Sequence, residues 1–358
     1  MVKTGIVRDV RYMDHHTGFG HPESPRRLEV IYDMLEDSDM EGRFFDVPVR
    51  EATTEELQLI HSPGYVQMVA ATVQKKFSML DLDTVTSPGS YKAALLAAGG
   101  LCEAISMVVS GKLENAFALV RPPGHHAEFN QGKGFCIFNN VAIGARFAQT
   151  ALHLKRILIA DWDLHHGNGT QHSFDSDPSI LYFSTHQSHF YPGTGSYDEV
   201  GKNQGRGFTV NVPLRTGYGD GEYAAIFEKI LKPVASDFKP DLILVSAGFD
   251  IYFGDPLGGM KVSPKGFAGL TRLIMDIAAS CCSGRVVMTL EGGYDLKGLR
   301  DSVKAVLKEL AGLSYTSYAD MAEGANPVAV ERVLKPVIQV HSRYWKGLSG
   351  IYPAWPLQ

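Results

Sequence analysis

The sequence predicts an α/β fold built on one central, mainly parallel, eight-stranded sheet flanked by helices. Eight short runs rich in β-branched and apolar residues alternate with longer helical patterns. Several of the runs are apolar without alternation, as parallel strands covered on both faces require. The expected strands are residues 5–7, 44–47, 116–120, 156–161, 180–184, 208–212, 242–246 and 286–290. The clearest helical stretches are 90–110, 141–154, 221–234, 264–279 and 299–310. With no internal repeat, low-complexity tract or linker, residues 1–358 read as a single domain.

Composition narrows the function. Hydrophobic residues make up 44% and charged residues 20%, which supports a large core and argues against disorder. A formal net charge of -5 argues against a nucleic-acid-binding surface. Cys102, Cys136, Cys281 and Cys282 lack paired C-x-x-C spacing and read as reduced thiols of a cytoplasmic protein. The start MVKTGIVRDVRY has no apolar signal core, and no apolar run is expected to reach membrane-span length. The apolar segment 351–357 is a candidate for docking on its own body or on a second copy, so a homo-oligomer stays open.

The unusual residues follow the expected strands, where open parallel sheets place their ligands. Val120 runs into Arg-Pro-Pro-Gly-His125-His126, Ala160 into Asp161-Trp-Asp163-Leu-His165-His166, and Phe183 into Ser184-Thr185-His186. Ser246 runs into Ala-Gly-Phe-Asp250, and Leu290 into Glu-Gly-Gly-Tyr294. Charge this dense is costly to bury without partners. In an extended chain Asp161, Asp163 and His165 share one face, and carboxylate with imidazole is a zinc-ligand set. Asp250 is the natural third ligand. Isolated strand-end acids usually cap helices or pair with arginine; the Asp-x-Asp-x-His cluster with Asp250 favours metal. Eight of the thirteen histidines lie between 125 and 189. A histidine pair beside a metal suits proton transfer, and Tyr294 suits donation to an oxyanion. His166 is expected to face away from the site, Glu291 to serve its turn, and His15 and His16 to lie in a surface loop.

These motifs, with Gly134-Phe-Cys-Ile-Phe-Asn-Asn, Tyr191-Pro-Gly-Thr-Gly and His21-Pro-Glu-Ser-Pro-Arg-Arg, resemble the zinc-dependent histone deacetylase superfamily. Trp162 and Asn168 resemble its class II branch and bacterial relatives. The superfamily also includes acetylpolyamine amidohydrolases and acetoin-utilisation proteins. The resemblance implies an arginase/deacetylase-type fold and one catalytic zinc held by Asp163, His165 and Asp250. It implies His126 as general base and acid, and His125, oriented by Asp161, as its electrostatic partner. Asn168 would orient His126, leaving it less charge support than an aspartate would. Tyr294 would donate to the oxyanion. Gly134, Phe135 and Tyr191 would wall an acyl-lysine tunnel, with Leu257 and Asp83 nearer its mouth and Arg27 on an acetate channel. Structural potassium is implied at Asp161, Asp163, His165, Ser184 and Thr185, and a second ion at Phe174, Asp177, Ile180 and Phe208.

The function this implies is removal of acetyl or other acyl groups from Nε-acyl-lysine of a protein or peptide. The alternative is acetylpolyamine hydrolysis, an acetylated small amine being the substrate. Where polyamine-selective relatives can carry a glutamate, this chain has Leu257, which favours lysine. An arginase-like two-metal hydrolase needs more carboxylates than Asp-x-Asp-x-His offers. A catalytically silent binding protein would show a replaced ligand, His126 or Tyr294, and none is replaced.

Overall fold

The computed structural model describes residues 2–350; the candidate docking segment 351–357 lies outside the described residues. The strands are β1 (Thr4–Val7), β2 (Phe45–Asp46), β3 (Ser78–Asp81), β4 (Thr84–Thr86), β5 (Asn115–Ala118), β6 (Ile157–Asp161), β7 (Ile180–Gln187), β8 (Thr209–Leu214), β9 (Leu242–Ala247) and β10 (Val286–Leu290). Eight of them form one sheet in the order β2-β1-β5-β10-β9-β6-β7-β8, and every pairing is parallel. The predicted α/β sheet is therefore present, and the five strands whose ends carry the unusual residues are consecutive at its centre: β5, β10, β9, β6 and β7.

Helices cover both faces, so the central strands lose all contact with water. Ile157, Leu158 and Ile159 of β6 are 0% exposed, and each such side chain contributes about 1.5–3 kcal/mol of transfer free energy. Helix starts follow their local chemistry. Asn139, Ser263 and Asp295 accept main-chain N–H groups at the first turns of Asn140–Thr150, Pro264–Cys281 and Leu296–Leu310. The expected helix 221–234 is interrupted: Asp220–Ile226 passes through a π-helical turn, Phe227–Leu231, into Lys232–Phe238.

Three sequence expectations change. Helix Ser90–Val109 has 20 residues and holds an 18-residue window of mean hydropathy 1.6, enough in length and composition for a membrane span. Its apolar surface is instead largely covered by the protein, with 72% of that window buried; Leu101, Cys102 and Ile105 join the core cluster. A small antiparallel hairpin, β3–β4, was not expected. His15 is buried rather than in a surface loop, its Nδ1 2.7 Å from Ser90 Oγ.

Candidate active site

Asp161 is the last residue of β6, paired in register with Ser184 of β7 and Ser246 of β9. Beyond it the chain does not stay extended as expected but bends through residues 163–165, where Asp161 Oδ1 accepts the Asp163 N–H at 3.1 Å and Asp163 Oδ1 the His165 N–H at 2.8 Å. Trp162 and Leu164 still enter the core while Asp163 and His165 face the neighbouring strand ends. Asp163, His165 and Asp250 offer ligand atoms that all lie within 4.8 Å of one another. His165 Nδ1 is 3.2 Å from Asp163 Oδ1 and 3.1 Å from Asp250 Oδ2. The backbone holds the carboxylates from behind. Gly292 N–H donates to Asp163 Oδ2 at 2.8 Å, and Leu164 N–H to Asp250 Oδ1 at 2.9 Å. A Cβ on Gly292 would collide with both carboxylates, so only glycine lets the chain leaving β10 pass here.

The charges are unbalanced in a way that suits a cation. Burial, then Asp163, pushes the Asp250 carboxyl up. Burial opposes charge on His165, but its bonds to Asp163 and Asp250 outweigh it and raise the imidazole to about 10. Two buried carboxylates converging on one nitrogen share protons that a divalent ion can replace. Two carboxylates and one imidazole are ligands that zinc accepts, and the residues present fit it.

The histidine pair stands beside this cluster. Its turn is tied to the end of β10, because Glu291 Oε2 accepts N–H groups from Gly124 at 2.7 Å and His125 at 3.2 Å. Glu291 Oε1 accepts from Ser246 Oγ at 3.0 Å. Glu291 thus braces the histidine turn, beyond the role in its own turn that was expected. His125 Nδ1 lies 3.1 Å from Asp161 Oδ2, and His126 Nδ1 lies 2.8 Å from Asn168 Oδ1. Burial opposes charge on both rings. For His125 the carboxylates of Asp163 and Asp161 win and raise it to about 10. For His126 burial wins, aided by the neighbouring His125 and His165, and the ring is driven well below its ordinary value. One ring is biased to carry charge and the other to stay neutral.

A cavity of about 350 Å³ reaches the cluster, lined by His126, Phe135, His165, Tyr191, Leu257 and Tyr294 among others. Asp83 and Gly134 also line it. The tunnel wall is supported by the unexpected hairpin: Asp83 Oδ1 accepts the Gly134 N–H at 3.1 Å and Thr84 Oγ1 the Phe135 N–H at 3.0 Å. Gly134 has a φ of 57°, and a Cβ there would strike the His126 ring. Tyr294 is part of the lining, with its N–H held by Asp255 Oδ2 at 2.6 Å. Arg27 lies behind it, 5.1 Å from the ring centroid, donating to the carbonyls of Gly293 at 2.8 Å and Glu291 at 2.5 Å. Its guanidinium does not line this cavity; it also meets Glu23, which Arg121 and His15 share.

The structure brings the expected metal ligands, the histidine pair, Tyr294 and the expected wall residues to one place. Sequence reasoning missed Phe190, whose ring lies 5.8 Å from that of His165, and Pro256, which lines the cavity beside Leu257. Each adjoins a residue that was singled out, so adjacency was the available signal. Thr84, beside Asp83, and Asp255, two residues before Leu257, act by accepting main-chain N–H groups, a role that no motif announces. His166 is turned away, its ring between Thr194 Oγ1 at 2.7 Å and Gln171 Oε1 at 2.9 Å. At the implied potassium positions, Ser184 Oγ meets His186 Nδ1 at 2.9 Å, and Thr185 Oγ1 is buried without a hydrogen-bond partner. The carbonyls of Phe174, Asp177 and Phe208 accept N–H groups of Asp177, Ile180 and Tyr182.

Fold and site together define an α/β protein with an Asp–His–Asp cluster of metal-ligand type at the carboxyl end of a parallel sheet. The chain belongs to the histone deacetylase domain family, whose model matches residues 21–310. Histone deacetylase 15 of Arabidopsis thaliana is 41% identical over 337 residues, which cover 93% of this chain and 60% of that protein. Histone deacetylase HDA1 of Candida albicans is 39% identical over 386 residues, covering 98% and 46%. The crystal structure of the HDA15 HD domain matches with a TM-score of 0.91 at 39% identity, covering 97% of this chain and 96% of that one. The chain spans about half the length of the curated relatives it matches.

Proposed function

We propose that the chain is a zinc-dependent hydrolase that removes acetyl, or longer acyl, groups from Nε-acyl-lysine of proteins or peptides. The observation that carries this reading is the Asp163–His165–Asp250 cluster at the foot of a cavity walled by Phe135 and Tyr191. Such a cavity suits a slender, extended side chain with an amide at its tip. The names of the relatives, histone deacetylases, support the same substrate class. Zinc, when bound by the cluster, would polarise the acyl carbonyl and lower the pKa of a water from ~15.7 toward ~7.

The chain's own residues do the rest. His126 is held with Nδ1 toward Asn168, and the rest of its ring faces the cavity to take the proton of the attacking water. His125, hydrogen-bonded to Asp161, holds positive charge beside it. Tyr294 donates its hydroxyl hydrogen to the developing oxyanion. His126 then returns a proton to the leaving amine. Phe135, Tyr191 and Leu257 exclude water, and Asp83, which supports Gly134, is placed to meet the substrate backbone at the rim. Arg27, behind Tyr294, is the candidate to steer departing acetate. Potassium is proposed at Asp161, Asp163, His165, Ser184 and Thr185, and a second ion at Phe174, Asp177, Ile180 and Phe208. Cytoplasmic location belongs to the same reading, supported by four cysteines that are all unpaired.

The test is amine release from an acetyl-lysine peptide and from an acetylated polyamine, measured side by side with a chelated control. Chelator-sensitive preference for the peptide supports the reading. Preference for the polyamine, or turnover that ignores chelation, overturns it.

A further inference from the structure

The hydrogen bonding that orients His126 does not end at Asn168. The Asn168 carboxamide nitrogen donates to Glu128 Oε1 at 2.5 Å and to the His126 carbonyl at 3.3 Å. Both partners can only accept. They select the amide orientation that turns Asn168 Oδ1 toward His126 Nδ1, 2.8 Å away. That oxygen also only accepts, so Nδ1 must carry the hydrogen. The second ring nitrogen is left with a lone pair, as a proton acceptor requires. Past Glu128 stands His172 at the surface, its Nδ1 2.9 Å from Oε1 and 3.1 Å from Oε2. A continuous chain of four side chains thus runs from cavity to solvent.

We propose that Glu128 is a positioning residue for the proton-transferring His126, acting through the side chain of Asn168. The proposal rests on the reading of His126 as the general base. The two histidines are served differently. His125 meets the Asp161 carboxylate directly at 3.1 Å. For His126 the negative charge stands one side chain further out, behind a neutral amide. The tautomer is still dictated by a carboxylate, but His126 is spared the direct charge that would hold it protonated. The Glu128 side chain is not needed to shape its loop. Its main-chain N–H donates to the Gln131 carbonyl at 2.8 Å, and its carbonyl lies 2.9 Å from His61 Nδ1.

The experiment compares wild type, Glu128→Gln and the double variant Glu128→Gln/Asn168→Asp, all zinc-loaded. A glutamine carboxamide presents donor or acceptor equally, so it no longer selects the Asn168 orientation. In the double variant an acceptor-only carboxylate meets Nδ1 directly. In Glu128→Gln, kcat falls about 10- to 100-fold, the usual range for partners that orient a site's primary residues, with KM, zinc content and Tm near wild type. The double variant recovers most of kcat, with the acidic limb of its pH profile moved upward. Full kcat in Glu128→Gln, or a loss the double variant does not recover, overturns the proposal.

A second readout needs no turnover. With 15N-histidine labelling, His126 shows one Nδ1–H tautomer in the wild type and a mixture in Glu128→Gln. An unchanged single tautomer overturns the proposal. Absence of deacylase activity in the wild type would instead strike the proposed function, and the tautomer readout would still decide the role of Glu128.

Discussion

Glu291 Oε2 accepts a 2.7 Å hydrogen bond from the main-chain N–H of Gly124, tying the end of one central strand to the turn that presents the histidine pair. The carboxyl is fully buried, and burial, only partly offset by His125, raises it to about 7. Replacing it with alanine orphans two main-chain N–H groups and the Ser246 hydroxyl. An unsatisfied buried donor costs about 1–3 kcal/mol. We expect Glu291→Ala to lower Tm by several degrees and kcat by at least tenfold, whereas Glu291→Gln, which can still accept from Gly124, loses less of both. Thermal melts and steady-state kinetics check this, and equal effects of the two substitutions would contradict it.

Tyr294 is separated from the stability of the site by a simple change. Its ring packs on Phe135 and under Arg27, and Tyr294→Phe keeps those contacts while removing the hydroxyl. Loss of one oxyanion donor typically lowers turnover on the order of 100- to 1000-fold. The expected outcome is that loss in kcat with a Tm within about two degrees of wild type. Undiminished kcat would remove Tyr294 from the reaction.

Metal removal reads the Asp–His–Asp cluster without turnover. A ligand present at about 1,000 times its Kd stabilises a folded protein by ~4 kcal/mol. Wild-type protein should lose Tm on chelation and regain it with zinc, and should contain one zinc per chain by elemental analysis. Asp250→Asn is expected to purify with little zinc and to show no chelator-dependent shift. Full zinc content in that variant would show that the ion sits elsewhere.

How much of this was legible in the residues can be argued case by case. The placement of Asp163 and Asp250 could be read because strand ends are local: each acid follows an apolar run within two or three residues, and that pattern needs no knowledge of the rest of the chain. The eight-stranded sheet was legible for the same reason. The hairpin β3–β4 was not, since Ser78–Asp81 is only half-buried and carries too little apolar pattern to announce a strand. The burial of His15 was hidden too, because Glu23 and Ser90 reach it only after folding. The link from Glu128 to Asn168 spans 40 residues and follows from no spacing rule.

Acid should weaken the fold over two pH windows. Burial lowers His15 to about 3 and His61, His186 and His341 to about 4, against an ordinary 6.5. Folded-state values below the unfolded ones mean stability that is full above pH 6.5 and falls as pH drops toward 4, by on the order of 1.4 kcal/mol per pH unit per histidine. Glu23 acts lower. Burial disfavours its charge, but Arg121 and the other partners outweigh this and depress it from 4.5 to about 2. Its contribution is therefore intact above pH 4.5 and lost as pH falls toward 2. At His341 neither ring nitrogen has a hydrogen-bond partner. His341→Leu is expected to flatten the Tm decline between pH 6.5 and 4; an unchanged slope would contradict the sign worked out here.

Leu257 tests what the cavity selects. It lines the apolar wall beside Pro256, and its N–H is held by Asp255 Oδ1 at 2.9 Å, so the backbone here is set independently of the side chain. A glutamate at this position would add a carboxylate to the cavity lining, within which an acetylated polyamine is expected to bring its next ammonium. An exposed or half-exposed charge pair is worth about 0.2–1 kcal/mol and a better shielded one more. Leu257→Glu is thus expected to raise kcat/KM for the polyamine several-fold and to lower it for a neutral acetyl-lysine peptide. Raising the salt concentration should erode the gain, since screening acts on the charge contact and not on the fit of the acyl group. If both substrates lose equally and salt has no effect, the side chain contributes apolar packing alone, and charge reading at the mouth must come from another residue.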